Sequence, residues 1–225
     1  MKRALTALLL CYVLANGPVS LLAGQQDQKK SANSMNKALV KTEAMPAPAG
    51  FESLDYLAYK EKYKEFVLMD ISEGKAVLYA NNNPYFFDIS SGAHRGAKEM
   101  EFDDKTPRGL YYACGSYPSK LYQFFIRVSY PNLDDAKRGL KLGIIIQKQY
   151  DAIVSANKTK GIPLQNTSLG GNIGIHGPEI IHTDNETYIL ATQFNWTQGC
   201  ISTNSWNIEY LYKNIKKGTP IIILD

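Results

Sequence analysis

The chain has 225 residues, 44% hydrophobic and 20% charged, proportions of a globular protein that exclude a disordered or fibrous one. In the first 50 residues Lys2, Arg3, Lys29, Lys30, Lys37 and Lys41 stand against only Asp27 and Glu43, so that stretch holds the whole net charge of +4 and residues 51–225 are neutral. No basic stripe with interleaved aromatics occurs where the fold must be, so a sequence pI of 8.8 does not point to nucleic-acid binding.

In chain order, Lys2 and Arg3 precede the apolar run ALTALLLCYVLA and the small-residue stretch NGPVSLLAG, the order of a secretory signal peptide over residues 1–24. Cleavage fits after Ala15, Ala23 or Gly24. The apolar run is short and soon meets Pro18, which disfavours a stable membrane span after processing, and Cys11 lacks the preceding small residue of a lipidated cysteine. Residues 25–50, poor in aromatics and ending in alternating Pro and Ala, read as a flexible linker to a folded domain over 51–225.

From Phe66, apolar runs of strand length separated by Glu73-Gly74 and by Asn81 to Pro84 predict strands near 66–71, 75–80 and 85–90. RGLYYACGSYP and KLYQFFIRVSYP predict two more, with Cys114 inside the first as a small buried hydrophobe. Pro131 and Asn132, followed by Asp134 and Asp135, open a short helix. Ile146, Tyr150, Ile153 and Val154 mark a second helix, closed by Lys158, Lys160 and Gly161. GGNIGIHG reads as a strand with close backbone approaches. In the last segment Asn204 is a helix N-cap, Trp206, Tyr210, Leu211 and Ile215 form the apolar stripe, Gly218 is the C-cap, and PIIIL is a strand. Strands dominate and helices decorate them, so the fold class is α+β and mostly β.

Beyond the signal the chain holds two cysteines, Cys114 and Cys200, too few for a disulfide framework. They either pair with each other in an oxidising compartment or remain apart; the strand context of Cys114 argues that it is buried elsewhere. Cys200 lies in a glycine-led loop, TQGC, ahead of the last helix. Backbone N–H groups and a positive helix end there lower a thiol pKa and favour the thiolate, and the N–H groups of Gly199 and Cys200 suit an oxyanion. Of the three histidines, His94 and His182 lie among polar turn residues, whereas glycines flank the Ile-His pair of His176, so His176 is the candidate base. A zinc site from His176, His182 and Cys200 matches no compact ligand spacing. Four N-x-[ST] sequons, at Asn157, Asn166, Asn185 and Asn195, read as Asn-rich composition, because a glycan on Asn195 would crowd Cys200.

GGNIGIHG, then TQGCISTN, with KTPRGLYYA upstream, resembles the YkuD-type catalytic domain of L,D-transpeptidases over Phe66 to Asp225. The resemblance implies a β-sandwich with peripheral helices. It implies Cys200 as nucleophile, His176 as base oriented by the Gly177 carbonyl, and an oxyanion hole at Gly199 and Cys200. The implied substrate is a peptidoglycan stem peptide, attacked at the L-centre of a diamino acid, without cofactor or metal. Thr197, Gln198 and Trp196 are candidates to line the substrate site. Read from the residues rather than from the resemblance, Arg108 and Arg127 either pair with stem-peptide carboxylates or serve as solvated or structural charges. Two departures stand out. Gln198 replaces the histidine of the family's commonest [ST]-H-G-C loop, and PEIIHTDNETYILATQFNW lengthens the path from His176 to Cys200. Both features resemble the exported, periplasmic Gram-negative branch that includes murein hydrolases, some of which release a wall-linked lipoprotein. Transpeptidation, the family's majority activity, is the first expectation, hydrolysis the second, and a noncatalytic murein-binding module the third. The presence of both Cys200 and His176 argues against the last, since a binder has no chemical need for the pair.

Overall fold

The computed structural model describes residues 46–182, 187–189 and 195–225. The expected signal segment, most of the expected linker, the sequon at Asn185 and the side chain of His182 lie outside the described residues. The apolar runs over residues 66–88 fold as three antiparallel strands, β1 (Phe66–Asp70), β2 (Lys75–Ala80) and β3 (Asn83–Asp88), in register Leu68↔Val77 and Val77↔Phe86. Asn81 and Asn82 both have positive φ, 52° and 62°, the backbone of a two-residue hairpin turn whose twist matches its strands. Every residue of β1 is buried. Its two faces feed two cores, Val67 and Met69 into the larger, Phe66 and Leu68 into a second with Val77 and Tyr79. Each such fully buried aliphatic side chain contributes about 1.5–3 kcal/mol.

The final strand β10 (Pro220–Leu224) inserts between β1, to which it is parallel, and β4 (Gly109–Ser119), to which it is antiparallel. β4 is long because it changes partners. Up to Tyr112 it pairs with β10, and from Ala113 it pairs with β5 (Gln123–Val128), with an irregularity between Ala113 and Gly115. A bulged strand that passes from one layer to another is how a single sheet turns a corner. β6 (Gly174–His176) and β9 (Ile201–Ser202) complete the order β3-β2-β1-β10-β4-β5-β6-β9. The two outer ends meet again at the bridge Ser90↔Ser202, so the expected sandwich is one sheet folded onto itself. Ile126, Ile175 and Ile201 of one half share a core with Leu78, Ile221 and Ile223 of the other. A separate hairpin, β7 (Ile180–His182) and β8 (Thr187–Ile189), forms within the long segment between His176 and Cys200.

Among the described residues four helices lie around the sheet: α1 (Tyr56–Lys60), α2 (Leu133–Lys141), α3 (Gln147–Lys158) and α4 (Ser205–Asn214). Asn132 caps α2, accepting from the N–H groups of Asp134 and Asp135 while the Asp135 side chain accepts from Asn132 N–H. α2 and α3 bury Ala136 and Ile153 with Ile145 and Leu169 in a third cluster; Ile146 is the N-cap of α3 and is exposed, not part of its stripe.

The expected stripe of α4 holds at Leu211 and Ile215, which are buried in the core, and is corrected at Trp206 and Tyr210, which are exposed. Asn204 is the N-cap, its side chain accepting from Asn207 N–H, but the inward residues are Asn207, Ile208 and Leu211. Trp206 is 81% exposed. Asn207 takes the inward place because its amide is satisfied there: Nδ2 donates to Thr203 Oγ1 at 2.9 Å and Oδ1 accepts from Tyr85 OH at 2.8 Å. The helix closes at Ile215, so Gly218, with φ +91°, belongs to the following turn rather than to the C-cap. Among the described residues no helix is long and apolar enough to cross a membrane.

Candidate active site

β5, β6 and β9 are neighbours, and their register sets Phe125 against His176 and His176 against Ser202. Glycine lets them close up. A Cβ on Gly174 would lie 2.2 Å from Phe125 Cζ, and one on Gly177 would lie 2.7 Å from the Tyr122 carbonyl. His176 ends β6, Cys200 immediately precedes β9, and because Ile175 pairs with Ile201 the two candidate side chains are carried by neighbouring segments.

The imidazole is held on several sides. Its Nδ1 lies 2.7 Å from the Gly177 carbonyl; a carbonyl only accepts, so Nδ1 carries the proton and Nε2 is left as the basic nitrogen. Ser202 Oγ donates to the same carbonyl at 3.3 Å. The Tyr122 ring lies 4.1 Å from the imidazole centroid, Phe125 lies nearly parallel at 6.1 Å, and Trp196 meets it edge-on at 5.8 Å. Burial lowers the His176 pKa, against a smaller upward effect of its bond to Gly177, so the ring is neutral at pH 7. Buried Trp196 Nε1 has no hydrogen-bond partner among the described residues.

The cysteine loop is braced from within. Thr197, 4% exposed, donates from Oγ1 to the Cys200 carbonyl at 2.6 Å and accepts from Gly199 N–H at 3.2 Å. Gly199 adopts φ +117°, and a Cβ there would lie 2.6 Å from the Lys105 carbonyl. The upstream T-P motif thus acts as scaffold: Lys105 closes against Gly199, while Thr106 Oγ1 accepts from Gly92 N–H at 2.8 Å, and Gly92 bridges Thr197. Asn195 Oδ1 accepts from the Ser91 N–H and hydroxyl, so the sequon amide nearest the cysteine is engaged in this brace.

Cys200 is half-buried. Its Sγ donates to the Asn172 carbonyl at 3.5 Å. Burial pushes the thiol up to about 11, against the smaller downward effects of Gly174 N–H, Lys98 and Arg127. This corrects the expectation of a thiol acidified by a helix start: α4 begins only at Ser205, and Asn204 already caps it. Lys98 is itself neutralised by Asp103 at 2.7 Å, both side chains at most 10% exposed. For Asp103, burial acts upward but Lys98 and the Glu99, Met100 and Lys105 N–H groups prevail and lower its pKa.

A groove of about 840 Å³ is lined by Cys200 and His176 together with Thr197, Gln198 and Trp196, so five of the sequence candidates converge. Gln198 is exposed on its wall. Gly177 acts behind the wall through its carbonyl. The Gly199 N–H is engaged by Thr197, which corrects its assignment as a free oxyanion donor, and the Thr197 hydroxyl is consumed inside the loop. Arg108 is corrected as well. It does not line the groove, and its guanidinium binds Asp225 Oδ1 at 3.0 and 3.1 Å and the Thr106 carbonyl at 2.7 Å. Arg127 does line it. Sequence reasoning missed Tyr122, Phe125 and Asn172. Alternation on β5 puts Phe125 and Arg127 on one face, but which strand lies opposite is set by residues about fifty positions away. Cys114 is buried and, like Cys200, free of a disulfide; its Sγ donates to the Arg127 carbonyl at 3.6 Å.

Among solved structures, the helical cell shape determining protein Pgp2 from Campylobacter jejuni is 22% identical, with a TM-score of 0.45, over 71% of this chain and 46% of that one. The Enterococcus faecium L,D-transpeptidase is 12% identical, TM-score 0.41, over 72% and 50%. The Mycobacterium smegmatis L,D-transpeptidase is 14% identical, TM-score 0.40, over 72% and 59%. The matched portion thus spans about half the length of those structures. No curated protein sequence matches the chain. The family model for the L,D-transpeptidase catalytic domain, YkuD, matches residues 64–223, which include every residue of the groove, and the chain belongs to that family.

Proposed function

We propose that this chain is a cysteine-dependent L,D-transpeptidase acting on peptidoglycan stem peptides through an acyl-enzyme on Cys200. The observation that carries the reading is the pairing, in one groove, of the Cys200 thiol with an imidazole whose Nδ1 is engaged by Gly177. With the thiol protonated and the ring neutral, attack and proton transfer go together: Sγ bonds to the carbonyl carbon at the L-centre of the diamino acid as His176 Nε2 takes the thiol proton. Cys200 N–H is the oxyanion donor of this reading. Collapse breaks the peptide bond, the imidazolium gives its proton to the departing amine of the D-residue, and a thioester remains. An acceptor amine then loses a proton to His176, attacks the thioester and returns the thiol.

Hydrolysis differs only in the acceptor, water in place of an amine, and an exposed Gln198 in place of the family's commonest histidine keeps it as the second reading. Export to the periplasm and a wall-linked lipoprotein as partner belong to the same proposal, resting on the signal-like N-terminus and the long excursion before Cys200.

Intact-mass analysis of the purified protein with a stem tetrapeptide is the test. A thioester adduct on the wild type, absent from Cys200→Ala, is the expected result; murein binding without any adduct would leave a noncatalytic module. Digestion of sacculi separates the two enzymatic readings, since new cross-links mark transpeptidation and shortened stems mark hydrolysis.

A further inference from the structure

Arg127 reaches into the groove from β5 and is held there by neutral groups alone. Nη1 donates to Gln165 Oε1 at 3.2 Å and to Asn172 Oδ1 at 2.9 Å, Nη2 donates to Tyr117 OH at 3.4 Å, and the guanidinium lies 5.7 Å from the Phe125 ring centroid. Other cations of this region carry a counter-charge: Lys98 has Asp103, Arg108 has Asp225, Arg138 has Asp135. Among the described residues no carboxylate lies within ion-pair distance of Arg127, although Glu101, Asp104 and Glu179 line the same groove. Its position relative to the nucleophile is fixed through one residue. Asn172, in the left-handed region at φ +55°, accepts from Arg127 on its side chain and from Cys200 Sγ on its carbonyl.

A half-buried, preoriented guanidinium with spare donors and no counter-ion among the described residues is built to receive a carboxylate, for which its planar fork is the matching shape. We propose that Arg127 is the specificity-determining carboxylate receptor of the groove, so that the preferred stem peptide presents a free carboxylate about one residue from the carbonyl attacked by Cys200. This rests on the stem-peptide reading above. Two carboxylates of such a peptide meet the requirement: the C-terminal one of the departing D-residue, and the one on the side chain of the diamino acid.

Three tetrapeptides test it: the free acid, its C-terminal amide, and its diamino-acid side-chain amide. Wild type is expected to favour the free acid over one of the amides by about 10- to 100-fold in kcat/KM, the range of a charge-assisted bond. That amide identifies the carboxylate used. Arg127→Gln lowers the free acid to the level of that amide, mainly through KM, leaves the amide itself unchanged within about 2-fold, and Arg127→Lys restores part of the loss. An equal loss on all three peptides would overturn the proposal, because Arg127 would then merely support Asn172 and the thiol; so would no loss on any. Peptide affinities for Cys200→Ala and for Cys200→Ala with Arg127→Gln give the same comparison without turnover. If wild type processes none of the peptides, the stem-peptide reading falls, while these affinities still decide whether Arg127 selects a carboxylate.

Discussion

The two free thiols of the domain make an instructive pair. Cys114 sits at the irregularity where β4 changes partners, 4% exposed, and burial raises its pKa. Cys200 sits in the groove, and burial raises its pKa too, to about 11. Both sulfurs donate to a backbone carbonyl, of Arg127 and of Asn172. Ionisation therefore does not distinguish the proposed nucleophile from the other thiol. What differs is the company: Cys200 shares its groove with the neutral His176 imidazole, whose Nδ1 is engaged by the Gly177 carbonyl, whereas Cys114 packs among strand residues. In the proposed mechanism reactivity would come from the base and from access, not from a depressed thiol pKa.

The largest expected effect removes one thiol and spares the other. Cys200→Ala lowers turnover of a stem peptide by at least about 10,000-fold, and Cys114→Ala leaves it within about 2-fold. Comparable losses from both, read from initial rates on folded proteins, would break the comparison.

His176→Gln removes the base while keeping a hydrogen-bonding side chain, and is expected to lower kcat by about 100- to 10,000-fold. The pH dependence gives the same distinction in wild type. Because burial depresses the His176 pKa below 6.5, the imidazole is an available base across the neutral range, and kcat/KM falls as pH drops through that depressed value. Alkylation of Cys200 by iodoacetamide should follow the thiol instead. With a pKa of about 11, about one molecule in ten thousand is ionised at pH 7, and the rate climbs about tenfold per pH unit toward 11. A labelling plateau already reached at pH 6 would mean a preformed thiolate–imidazolium pair and would overturn the assignment of His176 as a neutral base.

Thr197→Ala probes the brace rather than the chemistry. It removes the donor to the Cys200 carbonyl and the acceptor for Gly199 N–H, leaving both groups in a loop with little water. A loss of about 1–3 kcal/mol in unfolding free energy is expected, read from urea denaturation, with Thr197→Ser largely restoring it. An equal loss in both variants would assign the effect to the methyl group's packing.

How much of this was legible in the sequence follows from the range of each interaction. Strands β1 to β6 and β10 and helices α2 to α4 were readable because apolar runs, turn residues and caps act within a few positions; Asn204 caps the helix it was expected to cap. His176 and Cys200 were readable because glycines beside them signal close backbone approach. The partners that decide what the neighbouring residues do are distant. Arg108 meets Asp225 across most of the domain, Thr106 braces Gly92 to hold the cysteine loop, and Ser90 closes the sheet on Ser202. Trp206 was assigned inward on hydrophobicity, yet the inward place went to Asn207, whose amide finds Thr203 and Tyr85. Hydrophobic periodicity alone carries no information about such satisfied polar pairs.

The smallest effect concerns Cys114 itself and tests the inert half of the comparison. Truncation to Ala removes a buried sulfur and its weak bond to the Arg127 carbonyl, an expected cost of about 1–2 kcal/mol with activity retained. Because the raised pKa and the burial both protect the native thiol, Cys114 in a Cys200→Ala background should react with iodoacetamide only from molecules that have opened. Its labelling midpoint in urea should then coincide with the loss of far-ultraviolet circular dichroism. Labelling well before that midpoint would show that the β4 irregularity opens on its own, and since Cys114 packs against the backbone of Arg127, such opening would also loosen one side of the groove that Cys200 uses.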